Sequence, residues 1–130
     1  MPHITGVYAA LIGLLAVYLT ANVIRFRLRF KVGAGDGDHP ELAQAIRAHG
    51  NLIEHAPLAL ILIGSAEALG ANSQLIYVLG GLLVIGRLAS AWGLSQSSGT
   101  TQGRQIGIVL TAIAMLVASL TVLAKIASGF

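Results

Sequence analysis

Residues 4–24, ITGVYAALIGLLAVYLTANVI, form a continuous run without a charged side chain. At 1.5 Å per residue a helix of this length covers about 30 Å, which is the thickness of the hydrocarbon core of a bilayer. A secretory signal peptide is the competing interpretation. It is disfavoured because Met1-Pro2-His3 contains no arginine or lysine and because the apolar run is too long. The stretch predicts a first membrane-spanning helix.

The composition of the whole chain agrees with a lipid environment. Hydrophobic residues make up 55% of the 130 residues and charged residues only 10%, whereas a soluble domain carries about 25% charged residues. A small chain of this composition cannot cover a globule with polar side chains. We therefore expect one domain over residues 1–130, an all-α integral membrane protein. The chain has no cysteine, which excludes disulfides, thiolate metal sites and a cysteine nucleophile.

Three further helical segments follow the first one. The sequence predicts a four-transmembrane-helix bundle with approximate spans 4–25, 41–69, 74–93 and 104–127. Glycines break the helix in the loop after the first span, and Pro40 suits the first turn of the second. Pro57 is expected to kink the second helix. Gly80, Gly81 and Gly86 predict close helix packing by the third.

The loop charges predict the orientation. Four basic residues follow the first span, namely Arg25, Arg27, Arg29 and Lys31, whereas the second connection has no lysine or arginine and the third leads into Arg104. A basic cluster is compatible with a nucleic-acid patch, but beside a membrane helix it marks the cytoplasmic side. We expect a multi-pass protein of the inner or cell membrane with both termini on the non-cytoplasmic side. We expect no nucleic-acid partner.

The second helix carries a polar face inside an apolar chain. Arg47, Asn51 and Glu54 are spaced i, i+4 and i+7, so they share one side of a helix. A zwitterionic ligand with carboxylates and an amine satisfies all three groups. In the alternative interpretation they pair among themselves and hold helices together. A metal site from His49, His55 and Glu54 is disfavoured because the histidines lie on different faces, so we expect no metal.

Two arginines lie in or beside the later spans. Arg87 occurs late in the third span, where it either extends to the membrane interface or takes part in a ligand or ion-pair site. Arg104 begins the fourth helix, where its guanidinium and the free amides of the first turn attract an anion. The alternative for Arg104 is a charge that merely flanks a membrane span.

The stretch Arg47-Ala-His-Gly-Asn51-Leu-Ile-Glu54-His-Ala-Pro57 resembles the signature of the MAPEG superfamily, the membrane-associated proteins in eicosanoid and glutathione metabolism. Arginine, asparagine, glutamate and proline occur at the intervals of the family pattern. The basic first loop, Arg87 in the third helix and Arg104 at the start of the fourth extend the resemblance along the chain.

The resemblance implies a homotrimer with glutathione bound between neighbouring subunits near the cytoplasmic side. Its implied glutathione-binding side chains are Arg25, Arg47, Asn51, Glu54 and Arg87. Arg104 is implied as the catalytic residue that holds the glutathione sulfur as thiolate. Arg27 fits the position of Arg25 nearly as well. Where several relatives carry a tyrosine after the third-helix arginine, this chain has Ser90 and Leu94, which disfavours a prostaglandin or leukotriene specialisation.

The resulting functional hypothesis is a glutathione-dependent transferase or peroxidase that acts on lipophilic electrophiles or hydroperoxides. Its partners are the lipid bilayer, glutathione as cosubstrate and a lipophilic small molecule. Two alternatives stay open. One is a small multidrug or ion transporter, for which a carboxylate deep in a membrane helix is typical. The other is a non-catalytic, lipid-binding membrane scaffold of the same family.

Overall fold

The computed structural model describes residues 1–96, 99 and 101–129 and contains four helices in that part of the chain. They are α1 (His3–Phe30), α2 (Pro40–Ala68), α3 (Ser73–Gln96) and α4 (Gln102–Ala127). α1 continues through the basic cluster, and α2 remains one helix across Pro57. No strand occurs among the described residues. The predicted all-α class is therefore confirmed.

Three of the four helices are long and apolar enough to cross a membrane, namely α1, α3 and α4. α2 has a similar length but contains Glu41, Arg47, Glu54 and Glu67. The bundle exposes large apolar side chains on its outside, among them Leu14, Val17, Ile85 and Leu116, each more than half exposed. Such a surface requires lipid or other protein around it. The chain is an integral membrane protein.

The core lies along α2 and α3, which both contribute fully buried aliphatic side chains. α1 packs against α2 and α3, and α4 packs against the same two helices from the other side, so that α1 and α4 do not contact each other in the described part of the chain. Short connections join successive helices, which run in alternating directions. The second halves of α1 and α3 and the first halves of α2 and α4 therefore lie at one end of the bundle, which we call the basic end.

Glycines bring α3 and α4 into close contact at the basic end. A Cβ atom added to Gly107 would overlap the Ser90 hydroxyl and the carbonyl oxygen of Gly86, and a Cβ on Gly93 would lie 2.7 Å from the backbone nitrogen of Arg104. Small residues allow such backbone approach in membrane bundles. The expectation of close packing holds at Gly86 and at Gly80, where an added Cβ would overlap the Tyr8 ring, whereas a Cβ on Gly81 would meet no atom within 4 Å.

Glu67 near the end of α2 caps the beginning of α1 at the opposite end of the bundle. Its carboxylate accepts hydrogen bonds from the Ile4 amide (2.8 Å), the Thr5 amide (2.7 Å) and the Thr5 hydroxyl (2.6 Å). The first amides of a helix have no partner within the helix, and a carboxylate beside them also complements the helix dipole. This contact joins residues more than sixty positions apart in the sequence.

We expect Glu67→Ala to lower the free energy of unfolding by about 1–2 kcal/mol, because the substitution removes the acceptors of the Ile4 and Thr5 amides. Thermal unfolding in detergent, followed by circular dichroism, measures the effect. Asp38→Asn is the matched control, since it removes an exposed carboxylate from the first loop. Equal unfolding temperatures for Glu67→Ala and the control would contradict the capping role.

Candidate functional site

Arg87 makes five hydrogen bonds from the interior of the bundle. Its Nε donates to the Thr111 hydroxyl at 3.0 Å. Its Nη1 donates to the Asn51 side-chain oxygen at 2.8 Å and to the Asn51 carbonyl at 3.4 Å. Its Nη2 donates to the Ser90 hydroxyl at 3.2 Å and to the Gly107 carbonyl at 2.9 Å. Because a guanidinium has five N–H groups, these bonds use its whole donor capacity.

These hydrogen bonds hold the Arg87 charge inside the bundle. The residue is 1% exposed, so it does not extend to the membrane interface. No carboxylate of the described chain lies within ion-pair distance of it, and neutral oxygens alone solvate the cation. The contact with glutathione that the resemblance implies for Arg87 stays a prediction, and it requires one of the five bonds to open. Within the chain, Arg87 joins α2, α3 and α4.

Asn51 is oriented by this arginine. Arg87 can only donate, so the atom of the Asn51 amide that faces it is the oxygen. The amide nitrogen of Asn51 is therefore directed away from Arg87 and can donate elsewhere. Asn51 is 3% exposed, and its carbonyl oxygen also lies 2.8 Å from the Nδ1 atom of His55. The structure thus fixes this amide as a donor near the polar face of α2.

Arg47 and Glu54 form an ion pair along the outside of α2. Their atoms approach to 3.2 and 3.4 Å, and their side chains are 52% and 53% exposed, respectively. Gly50 lies beneath the pair, where an added Cβ would be 3.6 Å from Arg47 Nη1 and 3.8 Å from Glu54 Oε1. The expectation that the polar groups of α2 pair with one another thus applies to Arg47 and Glu54, whereas Asn51 pairs with another helix.

Arg104 lies in the first turn of α4, and its backbone amide donates to the Thr101 hydroxyl at 3.3 Å. Its guanidinium makes no hydrogen bond or ion pair with the described residues. Gly107, which accepts a bond from Arg87, follows one turn later. Arg104 is therefore a half-buried cation with free donors, close to the helix junction that Arg87 holds together.

Arg25 makes no hydrogen bond or ion pair with the other predicted site residues. Its Nη2 donates to the Asn22 side chain at 2.9 Å, and its guanidinium lies 4.9 Å from the centre of the Phe26 ring. Arg27, the alternative, donates to the carbonyls of Val32 and Gly35 at 3.4 and 3.0 Å and so holds the first loop. Arg25 therefore has more free donors than Arg27.

Sequence reasoning did not find two of the polar partners, Ser90 and Thr111. The spacing of three from Arg87 places Ser90 on the same face of α3 but does not by itself indicate a hydrogen bond. Thr111 shares a face with Arg104 and Gly107 by helical spacing. A buried arginine needs several acceptors, and this requirement was the available signal for searching the neighbouring helices for hydroxyl groups.

Comparison with known proteins identifies the family. The sequence profile of the MAPEG family matches residues 5–124. Two curated relatives, both named inner membrane protein YecN, come from Escherichia coli K12 and Escherichia coli O6:H1. Each is 37% identical to this chain over 90 residues, which cover 69% of the chain and 69% of the relative. Together with the four-helix fold and the α2 signature, these matches show that the chain belongs to the MAPEG family.

Proposed function

We propose that this protein binds glutathione and activates it as a thiolate for attack on lipophilic electrophiles or hydroperoxides. The observation that carries the proposal is the polar face of α2. There an exposed cation, an exposed carboxylate and an oriented amide donor lie within three helical turns. Glutathione carries two carboxylates, an ammonium group and peptide carbonyls, and it offers a complement to each of these side chains.

Each side chain has a fitting role. Arg47 offers the planar fork that binds a carboxylate through two parallel hydrogen bonds. Glu54 accepts from an ammonium group. The Asn51 nitrogen, directed away from Arg87, donates to a carbonyl or carboxylate oxygen. One carboxylate and the ammonium group of the ligand therefore each find a partner of opposite sign on one helix.

The Arg47–Glu54 pair opposes binding only weakly. Exposed ion pairs contribute roughly 0–1 kcal/mol, because water screens the charges and both side chains lose freedom. A zwitterionic ligand replaces this one ion pair with two, one to each side chain. Glu54 beside Arg47 supports the capture of such a ligand rather than the isolated deep carboxylate that is typical of a cation transporter.

Arg104 is the residue for activation of the sulfur. A thiol has a pKa of about 8.5, and its thiolate is the nucleophile. Lowering this pKa by about two units requires roughly 2.7 kcal/mol of preferential stabilisation of the thiolate. A unit charge pair at 4 Å contributes about 4 kcal/mol at an effective dielectric constant of 20. One arginine with free donors is thus sufficient. Conjugation then forms a sulfur–carbon bond while the leaving group departs with the bonding electrons.

We further propose that the protein is a homotrimer in the inner membrane, with the basic end on the cytoplasmic side and both termini on the other side. The four basic residues at the end of α1 support this orientation, and the names of the curated relatives support the location. In a trimer, Arg25 of one subunit reaches the glutathione of a neighbour. The lipophilic substrate arrives laterally from the bilayer.

Titration calorimetry of glutathione into the purified, detergent-solubilised protein tests the binding site. We expect binding by the unmodified protein and at least a tenfold loss of affinity in Arg47→Gln and in Glu54→Gln, since each substitution removes one charge-assisted contact. Arg29→Gln is the matched control, because Arg29 is an exposed cation of α1 outside the proposed site.

Two results would count against the proposal. One is undetectable glutathione binding by the unmodified protein in the trimeric state, verified by native mass spectrometry. The other is unchanged affinity in both α2 variants. Turnover of a small electrophile and of a hydroperoxide by the glutathione-bound protein then separates an enzyme from a non-catalytic scaffold.

A further inference from the structure

A cavity of about 460 Å³ lies among α1, α2 and α3 at the basic end. α4 contributes no residue to it, and Arg47, Asn51, Glu54, Arg87 and Arg104 are all absent from its lining. It is therefore distinct from the polar face of α2 within one subunit. The cavity differs from the other concave surfaces of the bundle because its lining includes both a cation and a carboxylate.

The polar part of the lining carries two separated charges. Arg25 comes from α1 and Glu41 from the first turn of α2. The two form no ion pair with each other. Arg25 uses one of its five N–H groups, to Asn22, and Glu41 makes no side-chain hydrogen bond with the described residues. Gln44 adds an amide beside Glu41. These groups leave room for a ligand that carries a positive and a negative charge.

The rest of the lining includes Tyr18, Asn22 and Ser95 and, towards the middle of the bilayer, an apolar part. Leu15 and Leu19 of α1 and Leu88 and Trp92 of α3 form this part. From Arg25 to Leu15, α1 rises about 15 Å, which is about half of the hydrocarbon thickness of a bilayer. Leu88 and Trp92 are also exposed on the outside of the bundle, so the cavity is open to the surrounding lipid. A water-soluble ligand would leave this apolar half unfilled.

We propose that the cavity binds one phospholipid with a primary-amine headgroup, of the phosphatidylethanolamine class. Arg25 binds the phosphate, because a guanidinium donates paired hydrogen bonds to phosphate oxygens. Glu41 and Gln44 accept hydrogen bonds from the ammonium group, which has three N–H donors. The acyl chains cover the apolar half of the cavity. The site shares only Arg25 with the proposed glutathione function, so the lipid phosphate and a neighbour's glutathione compete for that one guanidinium.

The headgroup chemistry predicts a selectivity. Phosphatidylcholine carries the same charges, but its quaternary ammonium has no N–H group to donate to Glu41 or Gln44. Phosphatidylglycerol has no cation and places its negative charge beside Glu41 without compensation. Loss of one charge-assisted hydrogen bond lowers the affinity about tenfold. Both lipids are therefore expected to bind about ten times more weakly than phosphatidylethanolamine.

The experiment uses Trp92, the single tryptophan of the chain, which lines the cavity. Phospholipids with identical spin-labelled acyl chains and one of the three headgroups are titrated into the delipidated full-length protein in detergent, and quenching of Trp92 fluorescence is measured. We expect half-maximal quenching at about tenfold lower concentration for phosphatidylethanolamine. Glu41→Gln is expected to remove the preference over phosphatidylcholine, whereas Arg25→Gln is expected to weaken the binding of all three lipids about tenfold, because each of them carries the phosphate. Arg29→Gln, in the same basic cluster but outside the cavity, is expected to preserve the preference.

Three outcomes would overturn the proposal. Equal quenching by the three lipids would mean that Trp92 faces the general lipid surface. A preference for phosphatidylcholine would mean that aromatic rings, and not Glu41 and Gln44, bind the ammonium group. Equally tight binding of water-soluble glycerophosphoethanolamine, measured by competition, would remove the role of the acyl chains. Native mass spectrometry of the unmodified protein gives the same headgroup selectivity without a variant.

Discussion

Replacement of Arg87 by methionine is expected to lower the free energy of unfolding by about 3 kcal/mol or more. The substitution removes a buried donor group and leaves oxygens of Asn51, Ser90, Thr111 and Gly107 without their present partner. Methionine has a similar length and fills the space, so the loss reports the hydrogen bonds rather than a cavity. Thermal and denaturant unfolding in detergent, followed by circular dichroism, measures it.

Arg87→Lys separates charge from geometry. Lysine keeps the positive charge but offers three donors from one atom, so it cannot bond to acceptors on three helices at once. We expect stability between that of the unmodified protein and that of Arg87→Met. Arg29→Met is the matched control and is expected to change stability by less than about 0.5 kcal/mol, as an exposed substitution. If Arg87→Lys unfolded like the unmodified protein and lost glutathione binding, Arg87 would be a ligand contact instead of a link between helices.

Arg87→Met is also expected to weaken glutathione binding indirectly. Without Arg87 the Asn51 amide is free to rotate, and its nitrogen is no longer held as the donor. We therefore expect the affinity for glutathione to fall together with the hydrogen bonds between the helices. We expect it to recover only with a side chain that again donates to the Asn51 oxygen. Asn51→Asp distinguishes the two contributions, because an aspartate still accepts from Arg87 but offers no donor to the ligand.

The sequence was sufficient for the helices and for the polar face of α2. Charged residues are so rare in this chain that the i, i+4, i+7 spacing of Arg47, Asn51 and Glu54 stands out from an apolar background. Because charged residues are rare, the few that occur also mark the basic end. There Arg87 contacts Asn51 of α2 and Gly107 of α4. The agreement in depth between these three helices follows from the alternating directions of the segments.

The partners of each polar group were not predictable from spacing within single helices. The five acceptors of Arg87 come from three helices, and their meeting depends on how each helix is rotated about its own axis. The contact of Glu67 with Thr5 depends on packing between segments far apart in sequence. Arg25 and Arg27 lie two residues apart and have equal charge, yet only Arg27 holds the first loop. The direction of each side chain, which the sequence does not give, decides which arginine contacts the loop.

Replacement of Arg104 by alanine is expected to abolish thiolate formation by bound glutathione at neutral pH. The pKa of the bound thiol then returns from roughly 6.5 to about 8.5, its value in water. At pH 7 the thiolate fraction falls from about three quarters to about 3%, which is roughly a 25-fold loss of nucleophile. The ultraviolet absorbance of the thiolate in the glutathione complex measures it directly. In the pH–rate profile, the rise with pH is expected to move about two units towards alkaline pH.

The controls for this substitution rest on the isolation of the Arg104 side chain. Since its guanidinium bonds to no described residue of the chain, Arg104→Ala is expected to leave the unfolding temperature and the oligomeric state of the purified protein unchanged. Arg104→Lys keeps the cation and is expected to retain part of the thiolate absorbance, whereas Arg104→Gln keeps hydrogen-bond donors and is expected to retain almost none. Full thiolate absorbance in Arg104→Gln would mean that another cation lowers the pKa of the thiol. In that case Arg25, which the proposed trimer would bring to the glutathione of a neighbour, becomes the residue to replace, because it has free donors and lies outside the network that holds Arg87.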